Sequence, residues 1–386
     1  MTLLSRLLAA PEKKDSRARA LVAISNTGRA HWTPRDYASL AKAGFEKNVI
    51  AYRSIRLVSE AAAAIPLRVI ENGAAMSEHP LLALLEHPNP EQSGAELFEA
   101  LYGFLMTAGN AYLEGAMLPL DDRGEIRELY ALRPDRMKAR LGPRGWASAY
   151  EYSVGGRTAV FDMSADPVPI LHLKLFHPTN DHYGLSPLEA AATSVDLHNA
   201  ALAWNKALLD NAARPSGALV YQGPEGATSL TSEQFERLKA ELGDVYSGAA
   251  NAGRPLVLDG GLDWRPMSMS PADMEFLQTK NSAAREIALA FGVPPMLLGI
   301  PGDNTYANYR EANLAFYRQT VLPLVRKTAA ALTNWLARPL GARLEPDIDS
   351  VEALSIDRDA LWARICGAEF LSEDEKRRAL GLEARP

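Results

Sequence analysis

Two Ser-Pro steps constrain this chain more than any other feature. Ser186-Pro187 and Ser270-Pro271 each open a long apolar-periodic run. A serine hydroxyl caps a helix by accepting from a free backbone N–H. Proline suits the first helical position because its missing N–H would be unpaired there anyway. The first run, 187–212, is Ala-rich and ends at Arg214-Pro215. The second, 271–291, stops at Gly292 and Pro294. About 26 residues at 1.5 Å each span roughly 39 Å. Between the runs lies a small α/β insert, 213–269, with strands expected at 217–222, 255–259 and 263–269 and a helix at 232–246. If the two helices run antiparallel, the insert sits at the tip of a stalk. The apolar faces of such a stalk need neighbours, which points to an oligomer.

The rest of the chain divides by period. Residues 1–30 read as an N-terminal arm, 34–63 as a helix and 65–70 as a strand with a turn at Asn72-Gly73. A second helix is expected over 94–108. From 110 to 175 the period becomes two, with short strands at 111–114, 128–132, 137–141, 150–154, 158–161 and 170–175. Turn signals stand at Asp121–Gly124 and Gly155-Gly156. A Pro/Gly loop follows the second stalk helix. A third long helix, about 306–337, is expected to bend at Pro323. A helical tail covers 357–383. Ser or Thr stands three residues before an acidic residue or Gln at Thr33, Ser93, Ser186, Thr231, Ser270 and Ser372, the spacing of a capping box.

Charge and motifs exclude several functions. The chain has 41 Lys and Arg against 47 Asp and Glu, a net charge of −6. A protein that wraps nucleic acid would be strongly basic. One that handles nucleic acid without gripping it stays open. The single cysteine, Cys366, allows no intramolecular disulfide or multi-cysteine zinc site and reads as a small buried residue. It points to a reducing compartment such as a cytoplasm. The longest uncharged stretches, 100–113 and 287–302, are too short or too broken to cross a bilayer as a helix. Phosphate-loop, zinc-protease and serine-hydrolase motifs do not occur. No catalytic residue, cofactor or metal is expected. His172, His177 and His182 are five residues apart, which suits neither face of a helix nor one face of a strand, and they read as strand and loop residues. Asp121 and Asp122 read as solvated turn residues. Tyr306, Tyr309 and Tyr317 read as packing aromatics on a helix face. On residues alone, an enzyme with an unusual site around His172–Tyr183 and a membrane-docking scaffold both stay open.

Residues 254–323 carry a specific likeness. Leu256–Leu258 through Gly261–Trp264, Ser270-Pro271 with Asp273, Ala290–Pro295, Leu298-Gly299, Asn304–Tyr306 and Leu322-Pro323 occur in that order. Upstream stand Gly124, Glu128–Pro134, His172, Gly184–Pro187, Asn211 and Arg214–Gly217. Downstream stand Leu371–Glu375, Arg377 and Gly381-Leu382. The set resembles the portal proteins of tailed phages, of the HK-ninety-seven type, over about residues 45–382. The family usually has Asn at the position of Asp374.

The resemblance implies an α+β portal fold and a ring, usually of twelve subunits, at one capsid vertex. It implies a wing over 30–185, stem helices at 186–212 and 270–291 and a clip at 213–269. A tunnel loop at 292–307, a long wing helix at 308–344 and a short helical crown at 345–386 complete the layout. It also implies passage of double-stranded DNA, docking of the terminase large subunit and then of the head–tail adaptor, and contact with the major capsid protein, without a membrane. The particle would be a virion or a phage-like gene transfer particle, assembled in a bacterial cytoplasm. Lys280, Arg285, Asn304, Tyr306 and Asn308 are the expected channel residues. Glu233, Arg237, Glu241 and Tyr246 are the expected docking residues of the clip.

Overall fold

The helix expected over 34–63 is two helices. α1 (Tyr37–Leu40) runs into a π turn at Ala41–Glu46, and α2 (Val49–Ala63) starts afresh. Asn48 makes the break. Its backbone is extended, and its side chain accepts from the N–H groups of Ile50 and Ala51. Thr33 does not cap α1. Asp36 does, through Ser39 N–H, while Thr33 donates its N–H and its hydroxyl to the Asp196 carboxylate, 163 residues on. The computed structural model describes residues 32–117, 125–210, 217–221, 233, 236–237, 262–266, 276–302 and 306–380. The arm 1–30, the Asp121–Gly124 turn, the strand expected at 255–259 and the caps at Thr231 and Ser270 lie outside them.

β1 (Leu67–Glu71) and β2 (Ala74–Met76) form a hairpin over Asn72-Gly73, both at positive φ. β2 and the next helix, α3 (Pro80–Glu86), were not expected from the sequence. α4 (Gly94–Ala108) matches its expected bounds. Ser93 and Glu96 form a full capping box at its start, and Gly109, at φ 69°, ends it. Ala51, Ile55, Val58 and Ala62 of α2 recur at helical spacing and are buried with Leu97, Leu101 and Leu105 of α4 in the main core.

All the strands expected over 110–175 are present: β3 (Asn110–Met117), β4 (Ile126–Leu132), β5 (Met137–Leu141), β6 (Ala147–Val154), β7 (Arg157–Asp162) and β8 (Ile170–Lys174). They form two antiparallel sheets, β4-β3-β8 and β5-β6-β7. Tyr112, Leu132, Met137, Tyr150 and Ile170 make a second, smaller core shared by both sheets.

His172 lies in that smaller core. Its ring stacks on Tyr112 at 4.3 Å. Nε2 donates to Asn110 Oδ1 at 3.0 Å, and Nδ1 accepts from the Tyr150 hydroxyl at 3.0 Å. Burial, and secondly the charge of Lys174, push its pKa down to about 3. Asn110 Oδ1 also accepts from Gly184 N–H at 2.7 Å, and Asn110 Nδ2 donates to Gly184 O at 3.3 Å. The loop before the stalk is thereby fastened to β3. The fastening needs two glycines, because a Cβ on Gly184 would lie 2.1 Å from Gly109 O.

The first stalk helix is also broken. α5 (Pro187–Ala190) is separated by Ala191 from α6 (Ala192–Asp210), and nothing in the residue pattern accounts for that step. Ser186 caps α5 through Glu189 N–H, with Pro187 in its first turn. The second stalk helix, α7 (Phe276–Ala290), packs on α6. Ser194, near the start of α6, donates to Glu286 near the end of α7 at 2.6 Å, so the two run antiparallel. Beyond them β9 (Gly217–Tyr221) pairs antiparallel with β10 (Leu262–Pro266), Gly217 opposite Pro266. The insert therefore leaves and returns through one hairpin-like root.

The third long helix is α8 (Tyr306–Phe316), a π turn at Tyr317–Val321, α9 (Leu322–Leu332) and a second π turn at Thr333–Ala337. The irregularity falls just before Pro323, as expected from its missing donor. β11 (Ala342–Pro346), absent from the sequence reading, pairs with β1, Leu67 opposite Pro346. The tail is α10 (Ser355–Cys366) and α11 (Glu373–Ala379), the latter capped by a full Ser372–Glu375 box. Cys366 is exposed, not buried. It ends α10 one residue after Ile365, which takes the inward position.

Gly184→Ala is expected to destabilise the protein by about 3 kcal/mol through forced displacement of Gly109 and Leu175, read from chemical denaturation. His172 predicts a pH dependence of known sign. The unfolded chain binds a proton near pH 6.5, and the fold refuses it until about pH 3. Stability is therefore lost as pH falls through that window, by up to about 1.4 kcal/mol per unit. His172→Gln is expected to lower stability at pH 8 and to flatten the slope between pH 6 and 4.

Candidate functional site

The root of the stalk is where buried polar groups concentrate. Asn48, 1% exposed, caps α2 and also donates Nδ2 to Asn199 Oδ1 at 3.0 Å and to His198 Nδ1 at 3.2 Å. Asn199 returns a hydrogen bond to Ala43 O. His198 accepts through Nδ1 and is therefore the Nε2–H tautomer. Burial holds its pKa below the ordinary value, and the charge of Lys280 adds to the effect. Arg35 donates to Glu189 O and Thr193 Oγ1. With Thr33–Asp196, these bonds fix the axis of α5 and α6 against α1 and α2.

Lys280 is half-buried on α7, on the side near His198. Arg285 is exposed, and its guanidinium donates to Pro301 O. Five residues at about 100° each put these two cations about 140° apart around the helix. The structure does not bring them onto one line. Asn308 is exposed in the first turn of α8, which Tyr306 opens. Asn304 lies outside the described residues. Tyr309 is exposed, whereas Tyr317 packs against the main core.

The segment after α7 is built on its own residues. Gly292, at φ 65°, turns the chain, and Val293 N–H reaches back to Ala288 O at 2.9 Å. A 3₁₀ turn at Pro295–Leu298 follows. Ile300 is buried on Ala284 and Ala288. Of the insert residues expected to dock partners, Glu233 and Arg237 are helical and exposed. Glu241 and Tyr246 lie outside the described residues. His177 caps a loop turn through Thr179 N–H, and His182 stands in the same loop. Among the described residues, no group of three or more His, Cys, Asp or Glu could hold a metal, and no helix is long and apolar enough to cross a membrane.

The sequence reading missed Asn48, Asn110, Asn199 and Thr320. Asn48 was findable, since Asn before an apolar-periodic run is a helix-start signal. The other three act through partners dozens of residues away, which no local pattern announces.

Residues 50–381 match the sequence profile of the phage portal protein family. An uncharacterised protein of Rickettsia bellii (strain RML369-C) is 44% identical over 346 residues, 88% of this chain and 87% of its own. The portal protein of Enterobacteria phage HK97 is 26% identical over 294 residues, 74% of this chain and 66% of its own. A chain in the neck of a native gene transfer agent particle, computed with C12 symmetry, is 55% identical. It superposes with a TM-score of 0.71, covering 93% of this chain and 96% of that one. The layout of stalk, insert and pinned loop, together with a profile match over most of its length, shows that this chain belongs to the phage portal protein family.

Proposed function

We propose that this chain is the repeating subunit of a ring, of twelve copies, at one vertex of a phage or phage-like gene transfer particle. Double-stranded DNA passes through the ring during packaging and ejection. The observation that carries the reading is the stalk. Leu197 and Ala200, three residues apart on one face of α6, are exposed. A single chain leaves that face in water, and a neighbouring stalk would cover it. The related neck chain in a C12 arrangement supports the count.

In this reading α6 and α7 are the stem, the insert is the clip, residues 30–185 and 308–344 form the wing and the tail is the crown. Lys280, Arg285, Asn304, Tyr306 and Asn308 are proposed for the channel side, in the stem and the tunnel loop. The function is mechanical. The motor that hydrolyses ATP would be the terminase, in keeping with a chain that has no phosphate-loop motif. A channel must not hold what passes through it. Each phosphate neutralised by a fixed cation adds salt-dependent affinity. At −6 per subunit, a twelve-membered ring carries about −72, which favours sliding.

The clip is proposed to receive the terminase large subunit and later the head–tail adaptor through Glu233, Arg237, Glu241 and Tyr246. The wing would meet the major capsid protein. Assembly would take place in a bacterial cytoplasm.

Leu197→Glu tests the stem reading. Each subunit loses a leucine that the ring would bury, about 2 kcal/mol, and gains a charge at every interface. The expected result is loss of rings in native mass spectrometry and negative-stain images, with unchanged helical circular dichroism. Intact rings would overturn the stem interface. The pair Glu233→Lys with Arg237→Glu is expected to leave rings intact and to weaken capture of the terminase at least about tenfold by reversing two charges. Unchanged capture would remove these residues from the docking surface.

A further inference from the structure

The segment between α7 and α8 is held at both ends by side chains that grip its carbonyls. At the near end, Thr320 Oγ1 donates to Gly292 O at 2.6 Å. At the far end, the Arg285 guanidinium donates to Pro301 O. Between these points the chain closes on itself, Ile300 N–H bonding Pro295 O at 3.2 Å. Val293 and Ile300 are buried beneath it. The near pin also depends on shape. A Cβ on Gly292 would stand 2.6 Å from Thr320 Oγ1, so only glycine lets the hydroxyl reach the carbonyl.

Thr320 belongs to the π turn Tyr317–Val321. A π turn holds one more residue than an α turn. Pro323 has no N–H to give to the carbonyl four residues back, and its ring crowds that position. The π turn accommodates both demands. If the segment were regular α-helix, residues on one side of the turn would rotate by about 100° relative to the other. Thr320 and the body of α9 would then no longer share their present relative orientation, and the hydroxyl would leave Gly292 O.

We propose that Thr320 and Arg285 are positioning residues that pin residues 292–302. The π turn before Pro323 sets the near pin, so the register of the long helix controls the loop. Arg285 thereby acts on the loop backbone in addition to any charge it presents. The value of the pin to DNA passage rests on the channel reading proposed above, whereas the pin itself does not.

The experiment is hydrogen exchange by mass spectrometry on the assembled full-length protein, following the amides of 293–300. Thr320→Val keeps the shape and removes the donor, and Thr320→Ser keeps the donor. The expected result is at least about tenfold faster exchange in Thr320→Val, with Thr320→Ser close to wild type. Pro323→Ala removes the cause of the π turn and is expected to accelerate the same amides. Unchanged exchange in Thr320→Val would overturn the pin. Unchanged exchange in Pro323→Ala would overturn the link to helix register. DNA retention in particles carrying Thr320→Val is read separately. Faster exchange with unaltered retention leaves the pin standing and overturns its role in the channel.

Discussion

The amide group of Asn48 joins the two halves of this fold. Its oxygen starts α2 by capping it, and its nitrogen holds α6 through Asn199 and His198. Both functions need the group buried. A buried amide is costly unless every donor and acceptor finds a partner. Asn48 meets that condition with four bonds, and a side chain so placed favours one orientation of α6 against α2. Asn110 repeats the arrangement at the loop that leads into α5. It grips Gly184 by both N–H and C=O and is held in turn by His172. The entry to α5 and α6 is thus held by polar groups of defined direction as well as by the apolar core.

Much of the fold could be read from residues in order. The short strand-like runs between turn signals over 110–175 announced every strand there, and Tyr112, Leu132, Tyr150 and Ile170 from them are buried in the smaller core. Ser93 and Gly109 marked both ends of α4. Failures occurred where the deciding partner is remote. Thr33 has capping spacing but serves Asp196, and Asp36 takes the cap. β11 reads as featureless without β1 beside it. The break at Asn48 carried a helix-start signal in the asparagine itself, but the apolar period running through it read as one helix. Cys366 was assigned by residue type, and the helix face overrode the type. The stalk was legible as two long helices, the first capped by Ser186, whereas the contacts that aim it were not, since they link positions about 150 residues apart.

The pinned segment after α7 shows how one chain can hold a loop without making it rigid everywhere. Directed hydrogen bonds hold its ends at Gly292 and Pro301, and the side chains next to them, Val293 and Ile300, are buried. Arg285 was expected to serve as a charge, and its geometry adds a mechanical task at the loop backbone.

The pairing of β1 with β11 has a consequence for biosynthesis. Leu67 sits opposite Pro346, so the strand made early waits for one made 279 residues later. Long-range closure of this kind is slow, and a waiting strand edge is open to wrong partners. At about 10 residues per second on a ribosome the wait is about half a minute. During that time β2 is the partner β1 already has. Its three-residue hairpin covers one edge of β1 while the other remains open. The last strand to emerge closes this sheet, so a chain truncated before Ala342 would leave this edge unpaired and exposed to the next copy on the same message.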